Sequence, residues 1–167
     1  MRKLPKRKFL QTAGYIARNT LAGEAIYPFY SSLKLTRRCN FTCSFCNCWH
    51  VKNRCKDIPT EDVKAILDNV ARSSVIVCSF EGGDPLVRDD IGELLRYQYE
   101  KPWYLLFTTS ERDMQHRYPM AEYAKYIDFL HISIDEGHKN LDMFDELEEY
   151  TKWGSIVTIQ IVVTKND

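Results

Sequence analysis

The sequence of 167 residues lacks the features that would point to a membrane or to secretion. No stretch approaches the roughly 18 consecutive apolar residues that a membrane-spanning helix needs. The N-terminus is basic but has no continuous apolar run behind it, so it is unlike a secretory signal. Without such a signal, the six cysteines do not predict a secreted disulfide framework. A reducing cytoplasm is therefore the expected location.

An excess of charge of either sign is also missing, because 23 basic and 23 acidic side chains cancel. The sequence therefore offers no global electrostatic attraction to nucleic acid or to an anionic membrane. The distribution is uneven, since a basic prefix over residues 1–30 contains only one acidic residue, Glu24. One possible helical face of this prefix carries Phe9, Leu10, Ala13, Ile16, Ala17 and Leu21. We expect a basic helix packed against the domain, with a membrane-surface or nucleic-acid arm as the alternative.

Short apolar runs alternate with helical patterns along residues 31–167. The predicted strands, rich in β-branched and aromatic residues, are 32–36, 75–80, 103–108, 129–134 and 156–163. Predicted helices lie near 60–70, 91–98, 121–126 and 141–147. Alternation of this kind predicts right-handed βαβ units and a mostly parallel sheet, which is an α/β fold.

Three cysteines in one short loop form the most specific local pattern. Cys39, Cys43 and Cys46 follow the first predicted strand with the spacing C-x3-C-x2-C. Thiolates are soft ligands that select iron–sulfur clusters or zinc. Zinc stays open as an alternative, although structural zinc motifs usually pair two separated Cys-x2-Cys units.

The other three cysteines carry a weaker signal. Cys48 follows Cys46 by two residues, so it is a candidate substitute ligand or, with Cys55, part of a zinc site. Cys78 lies in an apolar predicted strand and is expected to face the core. We expect all three to be ordinary thiols.

Polar or glycine-rich segments follow three further predicted strands, at residues 81–86, 108–110 and 133–135. In a parallel β/α array, functional residues collect beyond the carboxyl ends of the strands. Together with the cysteine loop, these segments predict one shared site. Alternation along the fourth strand places His131, Ser133 and Asp135 on one face. Buried strands carry several polar side chains on one face only when a ligand or a hydrogen-bond network satisfies them.

At this point the motifs resemble a known family. Residues 35–46, Leu-Thr-Arg-Arg-Cys-Asn-Phe-Thr-Cys-Ser-Phe-Cys, resemble the signature of the radical S-adenosylmethionine (radical SAM) superfamily. Residues 82–94, which begin Gly-Gly-Asp-Pro-Leu, are similar to the Gly-Gly-Glu-Pro-Leu segment of the same proteins. The pairs Arg88-x-Asp90 and Glu93-Leu94 further resemble the branch that holds molybdopterin-precursor synthases and PqqE-like peptide maturases.

The resemblance implies a partial (β/α) barrel, TIM-like and built of parallel strands, with six β/α units. Five strands are predicted here, and the sequence ends directly after the fifth. We therefore expect a radical SAM core domain over residues 31–167 that is truncated after the fifth strand. A partner chain that supplies the remaining C-terminal part is one expectation.

For function, the resemblance implies that Cys39, Cys43 and Cys46 hold a [4Fe-4S] cluster whose fourth iron chelates S-adenosylmethionine. Reductive cleavage of that cofactor to methionine and a 5′-deoxyadenosyl radical would start radical chemistry on an unknown substrate, either a small molecule or a peptide. An electron donor such as flavodoxin or ferredoxin would be required. The alternative, from another class, is a non-catalytic iron–sulfur or zinc binding module that acts as a partner subunit.

The same resemblance implies contacts to the cofactor, while no residue is assigned a catalytic role. The expected contacts are Phe41 and Phe45 beside the adenine and the cluster, Gly82, Gly83 and Asp84 near the methionine end, and Ser133 with Asp135 at the ribose. Glycines would allow the backbone to approach the cofactor closely. His131 is expected to be a histidine satisfied by its neighbours, and Glu81 and Gln160 have no expected role.

Overall fold

The computed structural model describes residues 4–51 and 56–163. Its five strands form one sheet in the sequential order β1-β2-β3-β4-β5, and every neighbouring pair is parallel. The strands are β1 Tyr30–Thr36, β2 Val77–Gly82, β3 Tyr104–Thr109, β4 Phe129–Ser133 and β5 Ile156–Gln160. Parallel strands in sequential order form part of a (β/α) barrel, so the predicted α/β fold is confirmed.

Helical segments connect the strands. The α-helices are α1 Lys6–Ala22, α2 Thr60–Ala71, α3 Ile91–Tyr99, α4 Met114–Arg117, α5 Met120–Tyr123 and α6 Leu147–Thr151. Short 3-10 helices lie at Cys48–Val51, Pro85–Val87, Ala124–Tyr126 and Leu141–Glu146. None of the helices in the described part of the chain combines the length and hydropathy that crossing a membrane requires.

Some predicted elements differ from those observed. The helix expected over 121–126 is α5 followed by a 3-10 turn, and Pro119 separates it from α4 because proline lacks the N–H that a continuous helix needs. The helix expected over 141–147 is largely 3-10. Strand β5 ends at Gln160 instead of residue 163, because its neighbour β4 ends at Ser133 and offers no further partner.

The two faces of the sheet have different chemistry. Alternate strand residues on one face are fully buried in the core that the helical segments share, and they include Cys78, Phe80, Leu105, Phe107, Leu130 and Ile132. We call this the helix-covered face; Cys78 faces the core there, as predicted. The residues between them, such as Leu106, Thr108 and His131, lie on the opposite face, which we call the open face, and line a cavity.

Helix α1 contacts the rest of the domain near its N-terminus. Its apolar side chains are exposed, with Leu10 at 75% and Leu21 at 88%, while Lys8 and Thr12 are buried. The Lys8 ammonium donates to the backbone carbonyl of Ser73, just beyond the C-terminus of α2, with an Nζ–O distance of 3.2 Å. A cation at a helix C-terminus is stabilised by the helix dipole, so this polar contact helps to attach α1. Phe9 adds an aromatic contact, with its ring centroid 6.4 Å from that of Tyr104 on β3.

A buried arginine ties the first strand to the following helices. Arg88 is 4% exposed and donates to the carbonyl oxygens of Leu35 at 2.8 Å and Ile58 at 3.0 Å. Its guanidinium also pairs with Asp90, at 2.8 Å to one carboxylate oxygen and 2.6 Å to the other. This network holds the end of β1 against the segments that precede α2 and α3.

We expect the substitution Arg88→Met to lower the free energy of unfolding by roughly 3 kcal/mol, because it leaves two carbonyls and a carboxylate without their charged donor. Arg96→Met is the matched control: Arg96 forms an exposed ion pair with Glu122. The control should change stability by no more than about 0.5 kcal/mol. Urea denaturation of both variants checks this, and equal effects would contradict it.

Candidate active site

A cavity of about 480 Å³ opens on the open face, at the carboxyl ends of the strands. Its lining brings together five residues from the predicted site, Phe45, Cys46, Gly82, Gly83 and Ser133. Parallel strands end at the same edge, so segments far apart in sequence meet there. The other predicted site residues are not part of the lining.

The cysteine loop presents its sulfur atoms to backbone donors. The amide of Phe41 lies 3.4 Å from the Sγ of Cys39, and the amide of Cys48 lies 3.5 Å from the Sγ of Cys46. Cys43 is buried, and the Trp49 indole N–H donates to its carbonyl oxygen at 3.1 Å. Hydrogen bonds donated to sulfur favour the thiolate form, which is the form that binds metal.

Burial works in the opposite direction on the same thiols. It raises the pKa of Cys39 to about 11, against a smaller lowering by the Phe41 amide. Burial also raises the pKa of Cys43, and the nearby Cys46 adds to the shift. Several thiolates in one loop therefore need a positive centre between them, because coordination to a metal deprotonates a thiol outright.

The donor set fits an iron–sulfur cluster. Within residues 4–51 and 56–163, no three histidine, cysteine or acidic side chains converge as the ligands of one metal ion would. The thiolates of a four-iron cluster each bind a different iron, so that convergence is not required.

A histidine that the sequence did not single out packs against the cysteine loop. The ring centroid of His138 lies 5.7 Å from that of Phe41 and 5.4 Å from that of Phe45, both edge-on. Its Nδ1 lies 2.8 Å from a carboxylate oxygen of Asp135, which is 2% exposed. A side chain at Gly137 would overlap the Phe45 ring. Asp135 thus holds His138 against the two aromatic rings, and the Asp-x-x-His spacing after a strand was the only signal for it.

The glycine loop, residues 82–83, packs directly on the cysteine loop. The amide of Gly83 donates to the carbonyl of Thr36 at 2.8 Å, and a Cβ at Gly82 would overlap that same oxygen. A Cβ at Gly83 would overlap the Arg38 carbonyl oxygen and reach 3.0 Å from the Cβ of Cys39. We expected glycine here to make room for a cofactor; the structure shows that the space is taken by the backbone preceding Cys39.

Asp84 lies behind the glycine loop, with no exposed surface. One carboxylate oxygen accepts from the Leu86 amide at 3.0 Å, and the other accepts from the Thr109 hydroxyl at 2.7 Å and the Ser110 amide at 3.0 Å. The carboxylate therefore ties the glycine loop to the end of β3. Burial raises the pKa of Asp84 to about 6, and these hydrogen bonds oppose the shift.

A buried amide connects the ends of β3 and β4. Asn140 donates to the carbonyl oxygens of Ser110 at 3.1 Å and Ser133 at 2.8 Å, and it accepts from the Asp135 amide at 3.1 Å. It has no exposed surface, so each of these bonds replaces hydration that the backbone would lose. No local pattern in the sequence distinguishes this asparagine from an ordinary loop residue.

His131 lies on the open face below Ser133. Its Nδ1 is 2.8 Å from the Thr158 hydroxyl, and its Nε2 is 3.0 Å from the side-chain oxygen of Gln160. Both ring nitrogens therefore have partners on β5, in line with the expectation of a satisfied histidine, but the ring lines the cavity.

The remaining loop cysteines make no common site in the described residues. The Cys48 sulfur lies 3.9 Å from the Gly82 carbonyl oxygen, so Cys48 contacts the glycine loop. Cys55, the other residue of the alternative zinc site, lies outside the described residues.

The Asp84 carboxyl predicts a pH dependence of stability. Its pKa is raised from 3.8 to about 6 in the folded state, so the free energy of unfolding falls as the pH rises through that range. This loss of stability is at most about 3 kcal/mol. The Asp84→Asn variant has no carboxyl group at this position and should not show the loss. Urea denaturation at pH values from about 4 to about 8 should show that the free energy of unfolding of the wild-type protein falls relative to that of the variant as the pH rises. A difference that stays constant over this pH range would contradict this.

Residues 33–160 match the family model described as the Radical SAM superfamily. Over 84 residues the chain is 33% identical to the PqqA peptide cyclase of Rhodopseudomonas palustris. This alignment covers 50% of this chain and 22% of the cyclase. Over 124 residues it is 26% identical to an S-adenosylmethionine-dependent nucleotide dehydratase of Oncorhynchus mykiss, which covers 72% of this chain and 35% of the dehydratase.

Solved structures show the same fold. Streptococcus suis SuiB bound to S-adenosylmethionine superposes with a TM-score of 0.67 at 22% identity, over all of this chain and 40% of SuiB. SuiB bound to its precursor peptide SuiA gives 0.65 at 20% identity, over 93% of this chain and 37% of SuiB. The chain thus spans less than half the length of each of these relatives. The family match confirms the resemblance seen in the sequence: the chain belongs to the radical SAM superfamily, whose members are enzymes that use a [4Fe-4S] cluster and S-adenosylmethionine.

Proposed function

We propose that this chain holds a [4Fe-4S] cluster and S-adenosylmethionine in the cavity described above and reductively cleaves the cofactor to start radical chemistry on a substrate. One observation carries the proposal. The glycine loop packs on the backbone that precedes Cys39. The cysteine loop is therefore fixed to the glycine loop, whose backbone is proposed to contact the methionine end of the cofactor. When bound, the reduced cluster supplies the electron that cleaves a carbon–sulfur bond of the cofactor.

Cys39, Cys43 and Cys46 are the proposed cluster ligands. The amides of Phe41 and Cys48 would stabilise the thiolates by donating to sulfur. Burial of Cys43 would keep water from the cluster side of the cavity.

The proposed cofactor contacts divide into two groups. Phe45, Gly82, Gly83 and Ser133 line the cavity, so they would bind directly, with the Ser133 hydroxyl at the ribose. Asp84 and Asp135 are buried and do not line the cavity. Asp84 would act by holding the glycine loop, and Asp135 would act by holding His138. Phe41 would act with Phe45, since both contact His138.

A peptide is the proposed substrate class. The relatives include a peptide cyclase and a protein whose structure was solved with a precursor peptide. In the described residues β5 pairs with β4 alone, so we propose that enclosure of a peptide uses further structure, in the same chain or a partner chain. An electron donor such as flavodoxin or ferredoxin would reduce the cluster, and a reducing cytoplasm would suit it.

The test is formation of 5′-deoxyadenosine after anaerobic reconstitution and reduction with dithionite. The wild-type chain should form this product, and Cys43→Ala should fall to background because a cluster ligand is lost. Cys48→Ala is the matched control from the same loop and should keep the activity. Product from Cys43→Ala would contradict the ligand assignment, and one zinc per chain without sulfide would favour the non-catalytic binding module.

Gly83→Ala should reduce iron and sulfide content after reconstitution as well as affinity for the cofactor. The new Cβ meets the Arg38 carbonyl and the Cys39 side chain, so the cysteine loop must move, at a cost of about 1–3 kcal/mol. Gly14→Ala is the control, since nothing lies within 4 Å of that position in α1 and alanine should stabilise the helix by about 0.5–1 kcal/mol. Full cluster loading in Gly83→Ala would show that the two loops are not coupled.

A further inference from the structure

A row of polar side chains crosses the open face just below the proposed cofactor contacts. The strand register places its members side by side on β1 to β5. We call it the polar row, and it consists of Lys34, Glu81, Thr108, His131 and Thr158. Its central members Glu81, Thr108 and His131 line the cavity. Side chains at this level face the interior of the partial barrel, where a substrate would lie beside the cofactor.

Glu81 is held as a carboxylate by neutral donors. One of its oxygens accepts from the Tyr30 hydroxyl at 2.9 Å and from the Ser79 hydroxyl at 2.7 Å. Burial by itself would raise the pKa of Glu81, but hydrogen bonds from Ser79, Ser32 and Tyr30, with the charge of Lys34, outweigh it and lower the pKa. The side chain is therefore ionised at neutral pH and fixed in orientation.

The charge of Glu81 has no counterpart in the cavity lining. Among the described residues that line the cavity, Glu81 is the only aspartate, glutamate, lysine or arginine. Lys34 lies opposite Glu81 in the register but is exposed, and it forms no ion pair with Glu81 within 4.0 Å. The Glu81 carboxylate therefore stays charged in the lining without an ion-paired cation, and a positively charged guest can form a charge-assisted hydrogen bond that a neutral guest cannot.

We propose that Glu81 anchors a cationic nitrogen of the substrate, the ammonium or guanidinium of a lysine or arginine side chain in a peptide. This rests on the proposed function, because it takes the cavity as the reaction site. Leu106, which pairs with Ser79 in the strand register, also lines the cavity and offers an apolar surface to the methylene stem of such a side chain. Thr108 on β3 and His131 on β4 add hydrogen-bonding groups to the lining on the strands that follow β2.

The position of Glu81 separates this subsite from the cofactor contacts. Glu81 is level with His131, whereas Ser133 lies two residues further toward the carboxyl end of β4, and Gly83 two residues further along from Glu81. Two residues along a strand span about 6.5 Å. The cofactor and the cationic group would therefore occupy adjacent levels of one cavity.

The test uses two probes of the same shape, N-acetyl-arginine amide and the uncharged N-acetyl-citrulline amide. The reconstituted chain, with S-adenosylmethionine bound, is titrated with each probe and binding is followed by ligand-observed NMR. We expect the arginine probe to bind about tenfold more tightly, since its bond to Glu81 is charge-assisted. Glu81→Gln keeps an oxygen that accepts from Tyr30 and Ser79, and it should bind both probes equally. Glu100→Gln, which removes an exposed carboxylate outside the cavity lining, is the control and should keep the preference.

A second variant predicts a gain. Lys34→Gln removes the cation opposite Glu81 and should tighten binding of the arginine probe several-fold, which a damaged fold would not do. Equal binding of both probes by the wild-type chain, or a preference that survives in Glu81→Gln, would overturn the proposal. So would a Glu81→Gln variant that loses affinity for S-adenosylmethionine, because Glu81 would then belong to the cofactor. Failure of the wild-type chain to bind S-adenosylmethionine would count against the proposed function instead, and the probe comparison is still made on that protein.

Discussion

The close contact between two stretches of backbone is the constraint on which the site depends. Gly83 lies so near the carbonyl of Arg38 that any side chain at this position would displace the backbone leading into Cys39. Hydrogen bonds from the Gly83 amide to the Thr36 carbonyl and from the Asp84 amide to the Arg38 carbonyl hold the same contact in place. The cysteine loop and the glycine loop are therefore fixed to each other, as the proposed reaction between a cluster and a second bound cofactor would require, since small misplacements are costly in rate.

Buried polar side chains supply the rigidity that loops lack by themselves. Asp84 joins the glycine loop to β3, Asn140 joins β3 to β4, and Arg88 joins the end of β1 to the segments before α2 and α3. Each satisfies backbone groups that would otherwise be buried without partners, so losing one leaves several groups unsatisfied. The residues that touch the cavity are held in place by residues that do not, and Asp84 and Asp135 belong to the second group.

The two faces of one sheet divide stability from chemistry. The helix-covered face is packed with apolar side chains such as Phe80, Phe107 and Leu130, which exclude water without any need for polar partners. The open face carries hydroxyl, carboxylate and imidazole groups that are satisfied by one another across strands, as His131 is by Thr158 and Gln160. Such networks keep side chains oriented toward the cavity while leaving the Glu81 charge available to a ligand.

The sequence by itself determined the alternation of strands and helices, the cysteine spacing and the paired glycines, because each is a local pattern whose physical cause lies within a few residues. It could not determine which way Asp84 and Asp135 turn, since the partners that bury them, such as Thr109, come from other segments. The hydrogen bonds of Asn140 and the assembly of the polar row likewise depend on tertiary structure, because strand register brings together residues that are far apart along the chain. The contact of α1 through Lys8 depends on where α2 ends, and that too is a property of the folded chain and not of any segment within it.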